Sequence, residues 1–328
     1  MDIFLQQLIN GVTLGAVYAV VALGYTMVYG VVQLINFAHG EVVMIGAMVA
    51  FTVIQALAPT GLPPLAVVSI GTACAILVCM PIGYAMERLA YRPLRRAPRL
   101  APLITAIGVS IILQHLAMLV WSRNVLAFPQ IIRARVHEVG GAAITDVQIA
   151  ILALCVATMG GLAWLVYRTR LGVAMRATAQ NPQVAGLMGV NIDRIISTTF
   201  VIGAALAALA GVMVGTYYGI AQYTMGSLLG LKAFCAAVLG GIGNIPGAML
   251  GGVLLGIVEA LGAGYIGDLT DLCHFAAWSD ALAARCAADP HLVLFGSNYQ
   301  DVFAFLVLIA VLVLRPSGLL GERVGERA

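Results

Sequence analysis

Long runs of uncharged, apolar residues dominate the chain and restrict what it can fold into. The first two cover residues 3–38 and 42–86, and later runs cover 100–122, 147–167, 195–231, 233–258 and 302–314. A membrane-spanning helix needs about 20 consecutive apolar residues, so the longer runs must fold back on themselves. The pattern therefore predicts an all-α polytopic membrane protein.

Composition excludes several other classes of protein. Hydrophobic residues make up 62% of the chain and charged residues 9%, whereas a soluble domain carries about 25% charged residues. So few charges cannot cover a water-exposed surface. The composition argues against a soluble enzyme, a disordered protein and a nucleic-acid-binding protein.

Helix-breaking residues divide the longest runs. A cluster of prolines and a glycine at 59–64 divides the second run, and residues 217–230 interrupt the fifth. We therefore expect residues 1–328 to form a single transmembrane domain of about eight helices, or nine or ten if glycine-rich segments contain broken or re-entrant helices.

The basic residues predict which loops lie in the cytoplasm. Twelve of the 17 lysines and arginines lie in 88–99, 168–194 and 315–327, and short basic loops tend to stay cytoplasmic. Residues 122–146 and 264–300 are then external. The amino terminus has no basic residue, which predicts a retained first helix rather than a cleaved signal but leaves its side of the membrane open.

Motifs for nucleotide binding and catalysis are missing from the sequence. A GxxxxGK[ST] loop needs a lysine before a hydroxyl residue, yet the single lysine, Lys232, precedes Ala233. The histidines show no metal-ligand spacing; they are His39, His115, His137, His274 and His291. We expect no catalytic site, no metal site and no bound cofactor in this chain.

A polar turn interrupts the first eighty residues. Asn36, His39 and Glu41 stand between two apolar runs, and ionisable groups at membrane depth usually face a cavity or a partner. A loop at the membrane surface is an equally open alternative. Lys232 and Glu259 are isolated charges that a structural ion pair, snorkelling to the interface or a substrate contact would explain equally well.

A second unusual segment combines glycines with an asparagine and a proline. It contains Gly240, Gly241, Gly243, Asn244 and Pro246 and should break a helix. Non-helical backbone at membrane depth is tolerated where it lines a cavity or is buried in protein. We predict that this segment and the turn at Asn36, His39 and Glu41 contribute to a translocation pathway. Other glycines at four-residue intervals, at 211–219 and 243–251, suit close helix packing.

Several sequence blocks closely resemble one family of permeases. They are NGVTLGAVYA (10–19), GYTMVYG (24–30), INFAHGE (35–41), ERLAYRPLR (87–95) and residues 230–251. They resemble the LivH-type permease subunit of branched-chain amino acid ABC transporters over nearly the whole chain. The resemblance implies an ABC importer with a second, LivM-type permease, two cytoplasmic ATPases that bind ATP and Mg²⁺, and a periplasmic binding protein, in the inner membrane of a bacterium.

The resemblance leaves the substrate open. It favours leucine, isoleucine or valine, but related permeases carry urea, short amides or other amino acids, and the binding protein contributes to the choice. A second alternative is an ATP-independent channel or secondary carrier, for which Glu41 is the one plausible coupling group. A non-transporting scaffold would leave the glycine-rich break unexplained.

The basic segment 168–194 contains signals for a very short helix. Asn181 suits the N-cap, Pro182 the first helical position and Gly189 the stop, and the apolar residues are Val184, Leu187 and Met188. The resemblance implies that this coupling helix docks on an ATPase, with Arg176 facing an acidic surface; a loop lying on the membrane is the alternative. Gln180 stands where relatives often have an acidic residue, which puts a charged contact there in doubt.

Residues 267–297 look inserted relative to the family. They contain Cys273 and Cys286, which should pair in an oxidising periplasm and add about 3 kcal/mol of stability; two free thiols in a loop are the alternative. The stretch between them has the composition of a short helix. We expect a small external cap over the mouth of the permease, although a neutral decoration is almost equally plausible.

Overall fold

A computed structural model describes residues 2–95, 97–98, 100–131, 135–273, 279–288, 292–295, 299–315 and 317–321. Its α-helices are α1 (Asp2–Val32), α2 (His39–Leu57), α3 (Pro64–Ala85), α4 (Leu100–Val120), α5 (Asp146–Arg168), α6 (Arg170–Gln180), α7 (Pro182–Leu187), α8 (Ile192–Tyr218), α9 (Met225–Gly240), α10 (Ile245–Leu269), α11 (Asp280–Ala288) and α12 (Gln300–Leu314). The prediction of an all-α fold is confirmed.

Seven of these helices are long and apolar enough to cross a membrane, namely α1 to α5, α8 and α10. The apolar helices α9 and α12 are shorter. The count of spans is therefore seven without α9 and α12 or nine with them, on either side of the predicted number of about eight. The two glycine-rich interruptions end helices rather than break them, because residues 219–224 separate α8 from α9 and residues 241–244 separate α9 from α10.

Short strands and turns complete the structure. Strands β1 (Leu126–Ala127) and β4 (Ile220–Ala221) pair antiparallel, as do β2 (Val136–Val139) and β3 (Ala142–Thr145). The register places Leu126 opposite Ala221. The β1–β4 pair thus ties the connection between α4 and α5 to the end of α8.

Helix α1 is the central helix of the bundle and packs along α10, with α8 and α9 beside it. Four glycines form the seam between α1 and α10: Gly11 and Gly15 on α1, and Gly252 and Gly256 on α10. A Cβ atom at Gly256 would lie 2.2 Å from the backbone nitrogen of Gly15. The two backbones are therefore in direct contact, as small residues four apart allow in membrane helices.

The glycine repeats noted in the sequence serve more than one purpose. A Cβ atom at Gly211 would lie 2.1 Å from the Val43 carbonyl oxygen, and one at Gly251 would lie 2.1 Å from that of Ala236, so both permit close packing. Gly219 instead ends α8 with a positive φ of 68°.

The loops gather at two faces of the bundle. The arginine-rich face carries residues 86–95, 97–98, 169–191 and 317–321; here Arg92 and Arg95 pair with Asp193 at the start of α8. At the opposite face, the Gln6 side chain donates to the Ala143 carbonyl (3.0 Å) and accepts from the Ala143 amide (2.8 Å). The amino-terminal end of α1 therefore lies at the face that carries residues 121–131 and 135–146.

Candidate translocation site and coupling helix

The turn at 33–38 enters the bundle at its end, because Asn36 and Ala38 are buried whereas Gln33 is exposed. The Asn36 side-chain oxygen accepts hydrogen bonds from the Tyr91 hydroxyl (2.6 Å) and the Ala38 amide (3.2 Å). His39 begins α2, with its ring edge-on to Tyr25 at 4.7 Å between centroids. Both Asn36 and His39 are buried, so the alternative of a loop at the membrane surface does not describe this turn.

Glu41 is buried in the first turn of α2. One carboxylate oxygen accepts a hydrogen bond from the Ser110 hydroxyl at 3.1 Å. The other oxygen, like Nε2 of His39, is buried without a hydrogen-bond partner among the described residues. Buried polar atoms are nearly always hydrogen-bonded, so this pair marks an unusual point in the bundle.

The glycine-rich segment 240–247 is a tight turn between α9 and α10. Gly241 and Gly243 have positive φ values of 103° and 95°, which glycine adopts readily. The Asn244 side chain caps α10 by accepting from the Gly247 amide, and Pro246 lies in the first helical turn. Asn244 also donates to the Leu320 carbonyl at 2.7 Å. The predicted break is present, and it lies where two helices end at the arginine-rich face.

A cavity of about 210 Å³ connects this turn to the segment that precedes α7. It is lined by Thr26, Met27, Gly30, Val31, Val166, Met175, Arg176, Ala179, Gln180, Gly243 and Ile245. The structure thus brings Gly243 together with Arg176 and Gln180. Asn36, His39 and Glu41 do not line it.

The short helix in segment 168–194 has the capping that the sequence predicts. Helix α7 begins at Pro182, and the Asn181 side chain accepts hydrogen bonds from the amides of Gln183 (3.0 Å) and Val184 (3.1 Å). Gly189, with φ of 85°, follows its end. Leu187 and Met188 are 87% and 81% exposed. The helix therefore displays apolar side chains that no described residue covers.

Arg176 already has partners within the chain. Its guanidinium donates to the Val166 carbonyl and lies 5.7 Å from the centre of the Tyr167 ring. The side chain thus fastens α6 to the end of α5. The guanidinium keeps further N–H donors, so this contact does not by itself exclude pairing of Arg176 with an acidic partner surface.

Lys232 lies in a buried ion cluster that the sequence did not reveal. Its ammonium is 2.7 Å from a Glu259 carboxylate oxygen and 2.6 Å from an oxygen of Asp301. The Tyr18 hydroxyl is 3.3 Å from the ammonium and donates to the second Glu259 oxygen at 3.0 Å. Of the three explanations left open for Lys232 and Glu259, snorkelling is wrong because both side chains are buried.

A second ion network fixes the start of α8. Arg95 pairs with Glu87 and, at 2.6 Å, with Asp193. Glu87 is fully buried and accepts a hydrogen bond from the Ser197 hydroxyl at 2.6 Å. The ERLAYRPLR block was the available signal, because Arg92 and Arg95 follow Glu87 at about one and two helical turns.

The inserted segment is anchored to the end of α10. Cys273 and Cys286 form a disulfide, and the Leu294 amide donates to the Thr270 carbonyl at 3.1 Å. Helix α11 covers only the later part of the predicted short helix, since residues 274–278 lie outside the described residues. His274 and His291 also lie outside them. Among the residues that are described, no three potential metal ligands cluster.

A bundle of apolar helices with buried ionisable groups and cavities near both faces defines a multi-pass membrane protein. Residues 7–312 match the family described as the permease component of the branched-chain amino acid transport system. The chain belongs to this family, whose members are transport subunits and not enzymes.

Individual relatives are similar over almost the full chain. The high-affinity branched-chain amino acid transport system permease protein BraD of Pseudomonas aeruginosa is 45% identical, and the corresponding LivH of Escherichia coli K12 is 43% identical; each alignment covers 97% of this chain and 96% of the relative. A probable LivH of Methanocaldococcus jannaschii is 26% identical over 92% of this chain and 87% of its own. No solved structure matches the chain.

Proposed function

We propose that the chain is the permease subunit of an ATP-driven importer that carries leucine, isoleucine and valine into a bacterium through its inner membrane. The observation that carries this proposal is the 45% identity to BraD over nearly the full length of both proteins. The alignment covers 97% of this chain and 96% of BraD, so the similarity extends over the whole bundle.

The partners in this proposal are a LivM-type permease, two cytoplasmic ATPases that bind ATP and Mg²⁺, and a periplasmic binding protein. Helix α7 supports an ATPase contact, because Leu187 and Met188 expose apolar surface. The helix follows closely on Gln180, which lines the cavity that reaches Gly243. Apolar side chains in a groove of the ATPase would transmit its movement through α6 to this cavity and to α1.

The sidedness of the bundle agrees with this arrangement. The arginine-rich face, which carries α7, is the face predicted to be cytoplasmic. The Cys273–Cys286 disulfide lies at the opposite face, and disulfides persist in oxidising compartments such as the periplasm. We infer that the amino terminus also lies on the periplasmic side, since Gln6 binds Ala143 there.

The proposed translocation pathway includes Asn36, His39, Glu41 and the turn from Gly240 to Gly247. In the present conformation the first three side chains are enclosed by the chain's own helices. The unpaired oxygen of Glu41 and the unpaired nitrogen of His39 would gain partners from water or substrate once α2 separates from its neighbours. In this proposal, the pathway residues therefore contact substrate only in a second, open conformation of the permease.

Reconstitution tests the function directly. The full complex, with both permeases, both ATPases and the binding protein, is placed in proteoliposomes, and uptake of radiolabelled leucine, alanine and urea is measured with and without ATP. We expect ATP-dependent uptake of leucine. Uptake by the permease pair alone without ATP would support the channel or carrier alternative, and ATP-dependent uptake of urea in place of leucine would support the urea permease alternative.

A further inference from the structure

A second cavity opens near the face opposite the arginine-rich one, between α1, α8, α9 and the start of α12. Its volume is about 300 Å³, the lower end of the range for small-molecule sites, about 300–1,000 Å³. The lining residues are Tyr18, Val214, Tyr218, Ile220, Gln222, Thr224, Met225, Leu228, Leu229, Lys232, Gln300 and Asp301. One wall is thus charged and polar, while much of the rest is aliphatic.

The two carboxylates that pair with Lys232 differ in how much of each side chain is exposed. Glu259 is 1% exposed and is held by both Tyr18 and Lys232. The Asp301 side chain, by contrast, is 30% exposed and contacts the same ammonium from the mouth of the cavity. Lys232 therefore has one permanent counter-ion behind it and one at the cavity surface. Counting one positive and two negative groups, the cluster has an excess negative charge.

We propose that this cavity is an entry site for a free amino acid with an apolar side chain. The substrate carboxylate binds the Lys232 ammonium, the substrate ammonium binds the Asp301 carboxylate, and the aliphatic side chain contacts Val214, Leu228 and Leu229. This assignment rests on the proposed function and specifies where the permease first receives its substrate. The cavity lies near the face opposite the arginine-rich one, which is the face where we expect the binding protein to dock.

Charge balance favours a zwitterion over other small molecules. An unpaired charge is costly to bury, and a buried pair that loses one partner is strongly destabilised. A zwitterion separates Lys232 from Asp301 and gives each a new counter-ion, so the total charge of the site stays the same. A neutral amide would separate Lys232 from Asp301 without giving either a new counter-ion. An anion would add to the existing negative excess.

The binding test uses the assembled complex in nanodiscs, without the binding protein. Saturation-transfer NMR measures the binding of L-leucine and of 4-methylpentanoate, which lacks the ammonium group. We expect Asp301→Asn to weaken leucine binding by roughly tenfold or more and to reduce the preference for leucine over 4-methylpentanoate. Asp268→Asn is the matched control, because Asp268 is exposed near the same face and does not line the cavity.

A second variant tests the apolar wall without altering a charge. Leu228→Trp fills the cavity and should lower ATP-dependent leucine uptake by the full complex roughly tenfold or more, with less effect on the smaller alanine. Leu250→Trp is the control, since Leu228 and Leu250 are 48% and 51% exposed and only Leu228 lines the cavity. Purified yield and ATPase activity show whether each variant assembles.

The outcomes separate this inference from the proposed function. If the unmodified complex shows no ATP-dependent leucine uptake, the proposed function is wrong. If it transports leucine but leucine gives no saturation transfer, or if Asp301→Asn and Leu228→Trp behave like their controls, the entry site is wrong and the function stands. Equal losses for leucine and 4-methylpentanoate in Asp301→Asn would also overturn it, because they would indicate a purely structural carboxylate.

Discussion

The contact between α1 and α10 leaves no room for a methyl group at Gly256. A Cβ atom there would lie 2.2 Å from the Gly15 nitrogen, 2.4 Å from the Gly15 Cα and 2.5 Å from the Gly11 carbonyl oxygen. Ordinary van der Waals contact begins at 3.4 Å, so the helices must separate by about 1 Å, and close-packed interiors resist such shifts. Overpacking costs about 1–3 kcal/mol, while alanine gains about 0.5–1 kcal/mol over glycine in helix propensity.

We therefore expect Gly256→Ala to destabilise the folded permease despite its better helix propensity. Gly160→Ala on α5 is the matched control, because no atom lies within 4 Å of its Cβ position and only the propensity gain applies. The propensity gain cancels between the two variants, so they should differ by the overpacking cost of about 1–3 kcal/mol in free energy of unfolding. The measurement is an SDS titration in mixed micelles followed by tryptophan fluorescence. Equal stability of the two variants would refute the argument from the backbone contact.

Three further predictions concern the coupling helix, the buried turn and the ion cluster. Leu187→Asp should leave the permease inserted but separate ATP hydrolysis from uptake in proteoliposomes; full coupling would contradict docking of α7. His39→Cys should resist a membrane-impermeant maleimide without nucleotide, because His39 is buried, and react during turnover; if it stays unreactive in every nucleotide state, the turn is structural. Lys232→Met should cost about 3–5 kcal/mol by leaving the buried Glu259 carboxylate without its cation. Adding Glu259→Gln should restore part of that stability in the SDS assay, and no recovery would show that the pair is not energetically coupled.

Local signals made some elements predictable from the sequence. The short helix α7 follows from Asn181, Pro182 and Gly189, because N-capping, the fixed φ of proline and the positive φ of glycine all act within a few residues. The turn between α9 and α10 follows from its glycines for the same reason. Apolar run length gave the spans, since the thickness of the membrane fixes it.

Pairings across the chain could not be predicted in this way. Lys232 and Glu259 are recognisable in the sequence as isolated charges, but no local pattern links them to Asp301 at the edge of the last run. Similarly, Gly11 and Gly15 repeat at an interval of four, yet nothing local indicates that Gly252 and Gly256 lie against them. The polar turn at Asn36 was recognisable as unusual, while its enclosure by the chain's own helices depends on the packing of all the others.

The seam between α1 and α10 can form only after both helices have been synthesised. Helix α1 leaves the ribosome before the other described helices, yet its main packing partner is synthesised more than two hundred residues later. At about 5–20 residues per second, the glycine stripe of α1 faces lipid or the insertion machinery for tens of seconds. A chain that stops before α10 therefore leaves uncovered the glycine-lined face of α1 that α10 covers in the finished protein.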